Sequence, residues 1–296
     1  MPSVKRLVYK SVPEATTRMA MLKRGEVDLA YLLDAPQAQD IKKDPSLKLA
    51  FSGGIGTYYL DYLDQWDPKS PWHDRRVRLA ASHALDRQAL SEAETLGASR
   101  PNGSMVPRKF EFALPLDPHP YDPVKAKQLL AEAGYPNGFD AGDLYPWPPY
   151  LSMGEAVGGY LGAVGIKVRI RTMERAAFYG ALESKKLKGL CVCINAVYGN
   201  AASRMAQTVP SDGAFAYGGY PDIDDLFQQQ ARERDQRKRE VILHRIQQLT
   251  IDRAMFAPIM DLRALFGIGP KMADHAMNIV PMTAFPSYED MKLKGQ

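Results

Sequence analysis

The chain has 296 residues, 45% hydrophobic and 24% charged, the mixture of an ordinary globular protein with room for one large core or two smaller ones. Thirty-eight Lys and Arg against thirty-four Asp and Glu leave a net charge of +4, a small and scattered excess that calls for no nucleic acid partner. The longest apolar run, near 189–197, is too short to span a bilayer, so the chain itself is not expected to be membrane-spanning.

Lys5–Lys10 reads as a strand. Lys5, Arg6, Lys10, Glu14 and Arg18 interrupt any apolar stretch of the kind a secretory signal needs, so the expectation is a cytosolic protein or one whose beginning is missing. Pro13 and Glu14 open a helix with Ala15, Met19 and Leu22 at helical spacing, and Gly25 stops it. Val27, Leu29 and Tyr31 alternate as a second strand. A short helix over Ala35–Lys43, a segment Leu47–Phe51, a glycine turn at 53–56 and a strand Thr57–Leu63 complete an α/β pattern. The Pro-rich junction Asp67–Trp72 marks a domain crossing.

An amphipathic helix begins near Asp74 with Val77, Ala81, Ala84 and Leu85 on one face, and Arg75, Arg76 and Arg78 are expected on a solvated one. Residues 97–121 read as a long surface loop. Asp122-Pro123 is a helix start, an N-cap acid followed by proline at the first helical position, and Gly134 ends that helix. A helix over Met153–Val164, a strand with Ile166, Val168 and Ile170, a helix carrying Phe178 and Leu182, and an apolar strand Leu190–Ile194 form a βαβ unit with parallel strands. Ligands of open parallel sheets bind at the carboxyl ends of such strands, here 195–200. A polar helical stretch from Ile223, a long helix after Arg234 with Ile242, Ile246 and Leu249 inward, and a strand from Pro258 through Phe266 follow.

Cys191 and Cys193 share a strand face. A disulfide between them would be badly strained, none is expected, and they read as small core residues. The five histidines are scattered, and the sequence has no H-E-x-x-H, no G-x-S-x-G and no phosphate loop. The glycines at 154, 158, 159, 162 and 165 precede a strand instead of following one, so they are not a dinucleotide fingerprint. No cofactor or metal is called for.

The segments Ala20–Asp28 (AMLKRGEVD), Pro71–Asp86 (PWHDRRVRLAASHALD), Tyr121–Phe139 (YDPVKAKQLLAEAGYPNGF), Gly165–Val168 and Tyr220–Leu226, in this order and spacing, resemble the extracellular solute-binding proteins of peptide/nickel-type ABC importers, solute-binding protein family 5. The resemblance implies an α/β fold of the periplasmic-binding-protein type II kind: two hinged lobes that enclose a small-molecule or peptide solute and present it to an ABC permease in the membrane, without chemistry on the solute. It places residues 1–66 and 263–296 in the first lobe and 67–262 in the second. Family members are considerably longer, so one lobe is expected nearly complete and the other partial, as in an N-terminally truncated chain. The family also implies a periplasmic location.

In peptide-binding relatives an aspartate after the strand matching Leu190–Ile194 pairs with the peptide ammonium. By this resemblance Val197 falls nearest its place, and the loop Asn195–Arg204 contains no acid. A buried ammonium without a counter-charge is expensive. Asn195, Tyr198 and Asn200 therefore become candidates for hydrogen-bonding a neutral or polyhydroxylated solute. Relatives also place an aromatic near Tyr150, and some an arginine where Pro148 stands here; Trp147 and Tyr150 are candidates for stacking on the solute. Tyr58 and Trp66 are expected to pack in the core. The competing readings are a cytosolic α/β enzyme acting on a sugar or nucleotide, and a fragment that binds nothing.

Overall fold

The computed structural model describes residues 4–54, 56–196, 199–277 and 285–295. In chain order it runs α1 (Ala15–Lys23), β1 (Leu29–Leu33), α2 (Ala35–Lys43), β2 (Lys48–Phe51), β3 (Gly56–Tyr62), a 3-10 turn (Pro71–His73), α3 (Arg75–His83), α4 (Arg87–Thr95) and α5 (Pro123–Glu132). It continues with β4 (Phe139–Pro146), α6 (Leu151–Ala163), β5 (Ile166–Ile170), α7 (Arg175–Glu183), β6 (Leu190–Asn195), α8 (Ala201–Met205), α9 (Pro221–Arg232), α10 (Gln236–Asp252), β7 (Phe256–Leu262), β8 (Leu265–Ile268), β9 (Met272–Asp274) and β10 (Lys292–Leu293). Lys5–Lys10 is not a strand: the segment alternates in sequence, but among the described residues it joins no sheet. Pro258–Phe266 is likewise not one strand; it breaks between β7 and β8, which belong to different sheets.

Two compact units separate. The smaller comprises Met1–Ile55, Ser91–Ser99 and Leu262–Gln296, the larger Gly56–Leu90 and Arg100–Asp261. The division falls ahead of β3, whereas the sequence alone suggested one after Trp66, because β3 pairs along its whole length with β6 of the larger unit.

The smaller unit is built on a three-stranded antiparallel sheet in the order β1–β8–β2. Met19, Leu22, Ala38 and Ile41 of α1 and α2 bury against Ala30, Leu33 and Leu265. A second cluster gathers Ala50, Phe266, Ile268, Met272 and Met291. Gly267 makes the close approach of the helices possible, since a Cβ there would lie 2.4 Å from Leu22 Cδ2 and 2.8 Å from Ile41 Cδ1. Among the described residues β1 is paired on one side only, while β6 is paired on both. Amide exchange should therefore be at least about a hundredfold faster over Leu29–Leu33 than over Leu190–Asn195, because edge amides open without breaking a ladder. Equal protection, read by mass spectrometry on the intact chain, would refute this.

The larger unit carries a five-stranded sheet in the order β5–β4–β6–β3–β7. β4 runs parallel to β5 and β6, and β3 is antiparallel to β6. The two expected parallel strands, β5 and β6, are thus not neighbours; the unforeseen β4 lies between them. β3 and β6 are buried along their full length. Tyr62 stacks on Trp72 with ring centroids 5.1 Å apart and donates its hydroxyl to the Arg78 carbonyl at 2.8 Å. Asp122 caps α5 as expected, accepting from the Lys125 amide at 2.8 Å.

Two of the three arginines of α3, Arg75 and Arg76, are exposed as expected, whereas Arg78 is buried. All three close the C-termini of other helices. Arg75 Nε donates to the Asp252 carbonyl at 2.5 Å, and Arg78, 3% exposed, reaches the carbonyls of Arg253 and Ala254 just past α10. Arg76 donates to the Glu132 carbonyl at the end of α5 at 2.7 Å. Helix ends leave such carbonyls without intrahelical donors, and a cation there also meets the negative end of the helix dipole. Cys191 and Cys193 are also corrected: their sulfurs are bonded to each other. Their Cα atoms are 5.3 Å apart, within the span a disulfide bridges. By closing a three-residue loop the bond removes little freedom from the unfolded chain, roughly 1–2 kcal/mol.

Candidate functional site

The parallel strands β4 and β6 end side by side, Trp147 N donating to the Val192 carbonyl at 2.9 Å beyond the last paired residues. At the end of β6, Asn195 is 4% exposed. Its Nδ2 donates to the Arg204 carbonyl, and its own carbonyl accepts from Arg204 Nη1 at 2.6 Å. This reciprocal clasp closes the loop between β6 and α8. Gly56, opening β3, permits it from the other side, since a Cβ would fall 2.4 Å from the Asn195 oxygen. Arg204 is fully buried, its guanidinium 4.2 Å from the centre of the Phe110 ring.

Two buried acceptors stay open. Asn195 Oδ1 and Thr57 Oγ1 have no hydrogen-bond partner among the described residues, and the two residues face each other in the β3–β6 register. Buried polar atoms are seldom left so, and each such atom lowers stability by about 1–3 kcal/mol unless something satisfies it. A polar solute group or water is the physical complement.

Asn200 serves a local role. Its side chain accepts from the amides of Ala202 and Ser203 at 3.1 and 3.4 Å, Ser203 Oγ accepts from the Asn200 amide at 3.0 Å, and the pair forms a capping box on α8. Its Nδ2 reaches Glu111 Oε2 at 3.4 Å. Tyr198, the remaining candidate of this loop, lies outside the described residues, as does Val197.

Trp147 and Tyr150 part company. Trp147 is 9% exposed, with its ring 5.1 Å from Phe178 and 5.0 Å from Tyr179 of α7 and 6.2 Å from Phe215 beyond α8, so protein side chains surround it. Tyr150, at the N-cap of α6 after the cis Pro148-Pro149 peptide, is half-buried and meets Tyr58 edge to face at 5.4 Å. Burial pushes its phenol up to about 12, so it stays a neutral donor at any working pH. Arg175 lies nearby and sits 5.6 Å above the Tyr179 ring. The end of the sheet thus offers open acceptors at Asn195 and Thr57 on one face and an aromatic edge at Tyr150 and Tyr58 on the other. Sequence reasoning missed Thr57 and Arg204. Thr57 sits in an apolar strand as an unremarkable β-branched residue, and no spacing links Arg204 to Asn195.

Among the described residues no group of three or more His, Cys, Asp or Glu is arranged to hold a metal ion, and no helix is long and apolar enough to cross a membrane.

Comparison with known proteins places this geometry in a family. Residues 1–216 match the family described as bacterial extracellular solute-binding proteins, family 5 Middle. Heme-binding protein A of Haemophilus influenzae is 38% identical over 136 residues, 46% of this chain and 24% of that protein. The glutathione-binding protein GsiB of Escherichia coli (strain K12) is 31% identical over 193 residues, 64% of this chain and 36% of its own. Among solved structures, NikA of Brucella suis in complex with Fe(III)-EDTA superimposes with a TM-score of 0.82 at 20% identity, covering 99% of this chain and 63% of that one. DppA of Helicobacter pylori in complex with the peptide STSA gives 0.80 at 20%, covering 96% and 56%. The alignments thus span about a quarter to a third of these curated relatives' lengths, and the fold is the periplasmic-binding-protein type II kind that the motifs implied. With the family model matched across most of its length, this chain belongs to the bacterial extracellular solute-binding proteins of family 5.

Proposed function

We propose that this chain is the solute-capturing component of an ABC importer, working outside the cytoplasm and handing an unaltered small organic solute to a membrane permease. The relatives it matches are named for haem and glutathione, and its structural neighbours hold a metal chelate and a peptide, so the ligand must be argued from the residues present. The observation that carries the argument is the end of β6. The loop Asn195–Arg204 holds no carboxylate to receive an ammonium, while Asn195 Oδ1 and Thr57 Oγ1 stand buried and open on one face of the sheet end, with the Tyr58–Tyr150 edge on the other face. Such acceptors suit hydroxyl, amide or other neutral donors, and disfavour a solute whose anchor is a free amino group.

The test is calorimetric titration and thermal shift of the full chain with dipeptides, the same dipeptides N-acetylated, reduced glutathione and a set of sugars and polyols. Blocking the amino group should leave affinity unchanged. Tyr150→Ala should weaken a responding solute about tenfold, the loss of one aromatic contact, while Tyr150→Phe should change it little. Affinity abolished by acetylation would overturn the ligand class, and no thermal response to any of these solutes would overturn capture itself.

A further inference from the structure

Two features of the larger unit's sheet lie outside the capture site proposed above: the Cys191–Cys193 bond on β6 and the buried carboxyl of Asp61 on β3. They are neighbours. In the antiparallel β3–β6 register Asp61 lies directly opposite Cys191, and Tyr59 opposite Cys193. Side chains so placed share one face with Cβ atoms about 5 Å apart. Tyr145 of β4 flanks Cys191 on its other side. Asp61 is 7% exposed, and among the described residues no side chain hydrogen-bonds its carboxyl. The cation that faces it is Lys185, whose Nζ is held by the Ala214 carbonyl at 2.5 Å and lies 5.5 Å from the Tyr217 ring centre.

A disulfide that closes a three-residue loop on one strand ties no distant segments together. What it supplies is a two-electron group beside a buried acid. We propose that Cys191, Cys193 and Asp61 form a thiol–disulfide exchange site that takes small dithiols as reductant, with Asp61 protonating the cysteine sulfur that leaves.

The step balances as follows. One thiolate of the dithiol attacks a cysteine sulfur, the Cys191–Cys193 bond breaks, and the displaced cysteine leaves with the electron pair and takes a proton from the Asp61 carboxyl. The dithiol's second thiol then attacks the mixed disulfide, freeing the other cysteine as a thiol. The dithiol is oxidised by two electrons to a cyclic disulfide, the cysteine pair is reduced by two, and Asp61 regains its proton from the dithiol by way of solvent. Its carboxyl holds that proton near neutrality because burial opposes the charged form, with Lys185 working the other way. Both sulfurs are buried, so the reductant reaches them only when the cover opens, and Lys185 and Tyr217 belong to that cover.

The experiment uses the full chain purified without reductant. Iodoacetamide in denaturant, followed by mass spectrometry, should find no alkylated cysteine before dithiothreitol treatment and two after it. The rate of reduction in the native protein should fall at least tenfold in Asp61→Asn at pH 6, with the two rates converging above pH 8, and Asp61→Glu should restore part of it. Tyr217→Ala, which loosens the cover, should speed reduction in both backgrounds. Two alkylatable thiols before any reductant would overturn the bond. Equal rates in wild type and Asp61→Asn across pH 6–8, with melting temperatures showing both folded, would overturn the role of Asp61.

Discussion

Arg78→Ala is expected to lower the melting temperature of the chain by about 8–16 °C, the equivalent of about 4 kcal/mol. The guanidinium donates to four carbonyls: Trp72 at 2.6 Å, His73 at 2.8 Å, Arg253 at 2.8 Å and Ala254 at 2.9 Å. It therefore joins the turn before α3 to the end of α10, residues distant in sequence. Burial lowers its pKa, with the desolvation opposed by the phenols of Tyr220 and Tyr62. An alanine would leave the carbonyls without donors in a space too closed for water to serve all of them, at about 1–3 kcal/mol for each one left unsatisfied. Lysine keeps the charge but cannot present a fork of donors, so Arg78→Lys should recover no more than about half of the loss. Urea melts of the three proteins read this directly. A change under about 1 kcal/mol for Arg78→Ala would mean that the α10 end is held by Arg75 and packing alone.

This arginine also shows where sequence reading loses its grip. The pattern of α3 was legible: Val77, Ala81, Ala84 and Leu85 are all buried. What the pattern cannot convey is that an arginine off the apolar face finds another helix's carbonyls, because that depends on where the α10 end arrives more than 170 residues later. α5 was readable because its start is chemical, an aspartate N-cap followed by proline, and that signal is local. β4 was not, because Phe139–Pro146 carries two aspartates, a glycine and a terminal proline. Gly142 takes φ +76° at the register shift between Asp140 and Asp143, so the expected alternation is broken by a bulge. Conversely, Lys5–Lys10 has an acceptable strand composition but joins no sheet among the described residues, and a strand is defined by its partner.

At the candidate site the same division holds. That β6 is a parallel strand ending near Asn195 was legible as topology, because it follows from the order of strands and helices. The duties of individual side chains were not legible. Trp147 looks identical in sequence whether it faces a solute or Phe178 and Tyr179. Asn200 is a good N-cap residue and a good hydrogen-bonding ligand for the same chemical reason. Asn195 became informative only when its Nδ2 was seen clasped to the Arg204 carbonyl and its Oδ1 left open.

The second large effect is a pH dependence centred on Asp61. Its carboxyl is raised from the ordinary 3.8 to about 7 by burial, only partly opposed by the Tyr62 backbone amide and Lys185. Between pH 4 and pH 7 the unfolded chain has therefore released this proton while the folded chain still holds it. Stability is fully present below about pH 4 and is lost as pH rises through 7, to a ceiling of about 4 kcal/mol for a shift of about three units. Asp61→Asn cannot ionise and removes this loss. The mutant should match wild type below about pH 4 and melt up to about 8–16 °C above it at pH 8. Tyr59 and Tyr217, which face the same carboxyl, are both raised from their ordinary value and titrate above this window. One group works in the opposite direction. Burial, with His83 and the nearby arginines, depresses His119 from 6.5 to about 4, so its contribution is present above pH 6.5 and lost as pH falls toward 4. The raw wild-type profile mixes both slopes, but the difference between wild type and Asp61→Asn cancels the histidine. The expected result is a melting-temperature gap that opens between about pH 4 and pH 7 and then levels. A constant gap across that range would show that the buried carboxyl carries the same charge in the folded and unfolded chains, and with it would go the premise that Asp61 holds a proton at neutral pH.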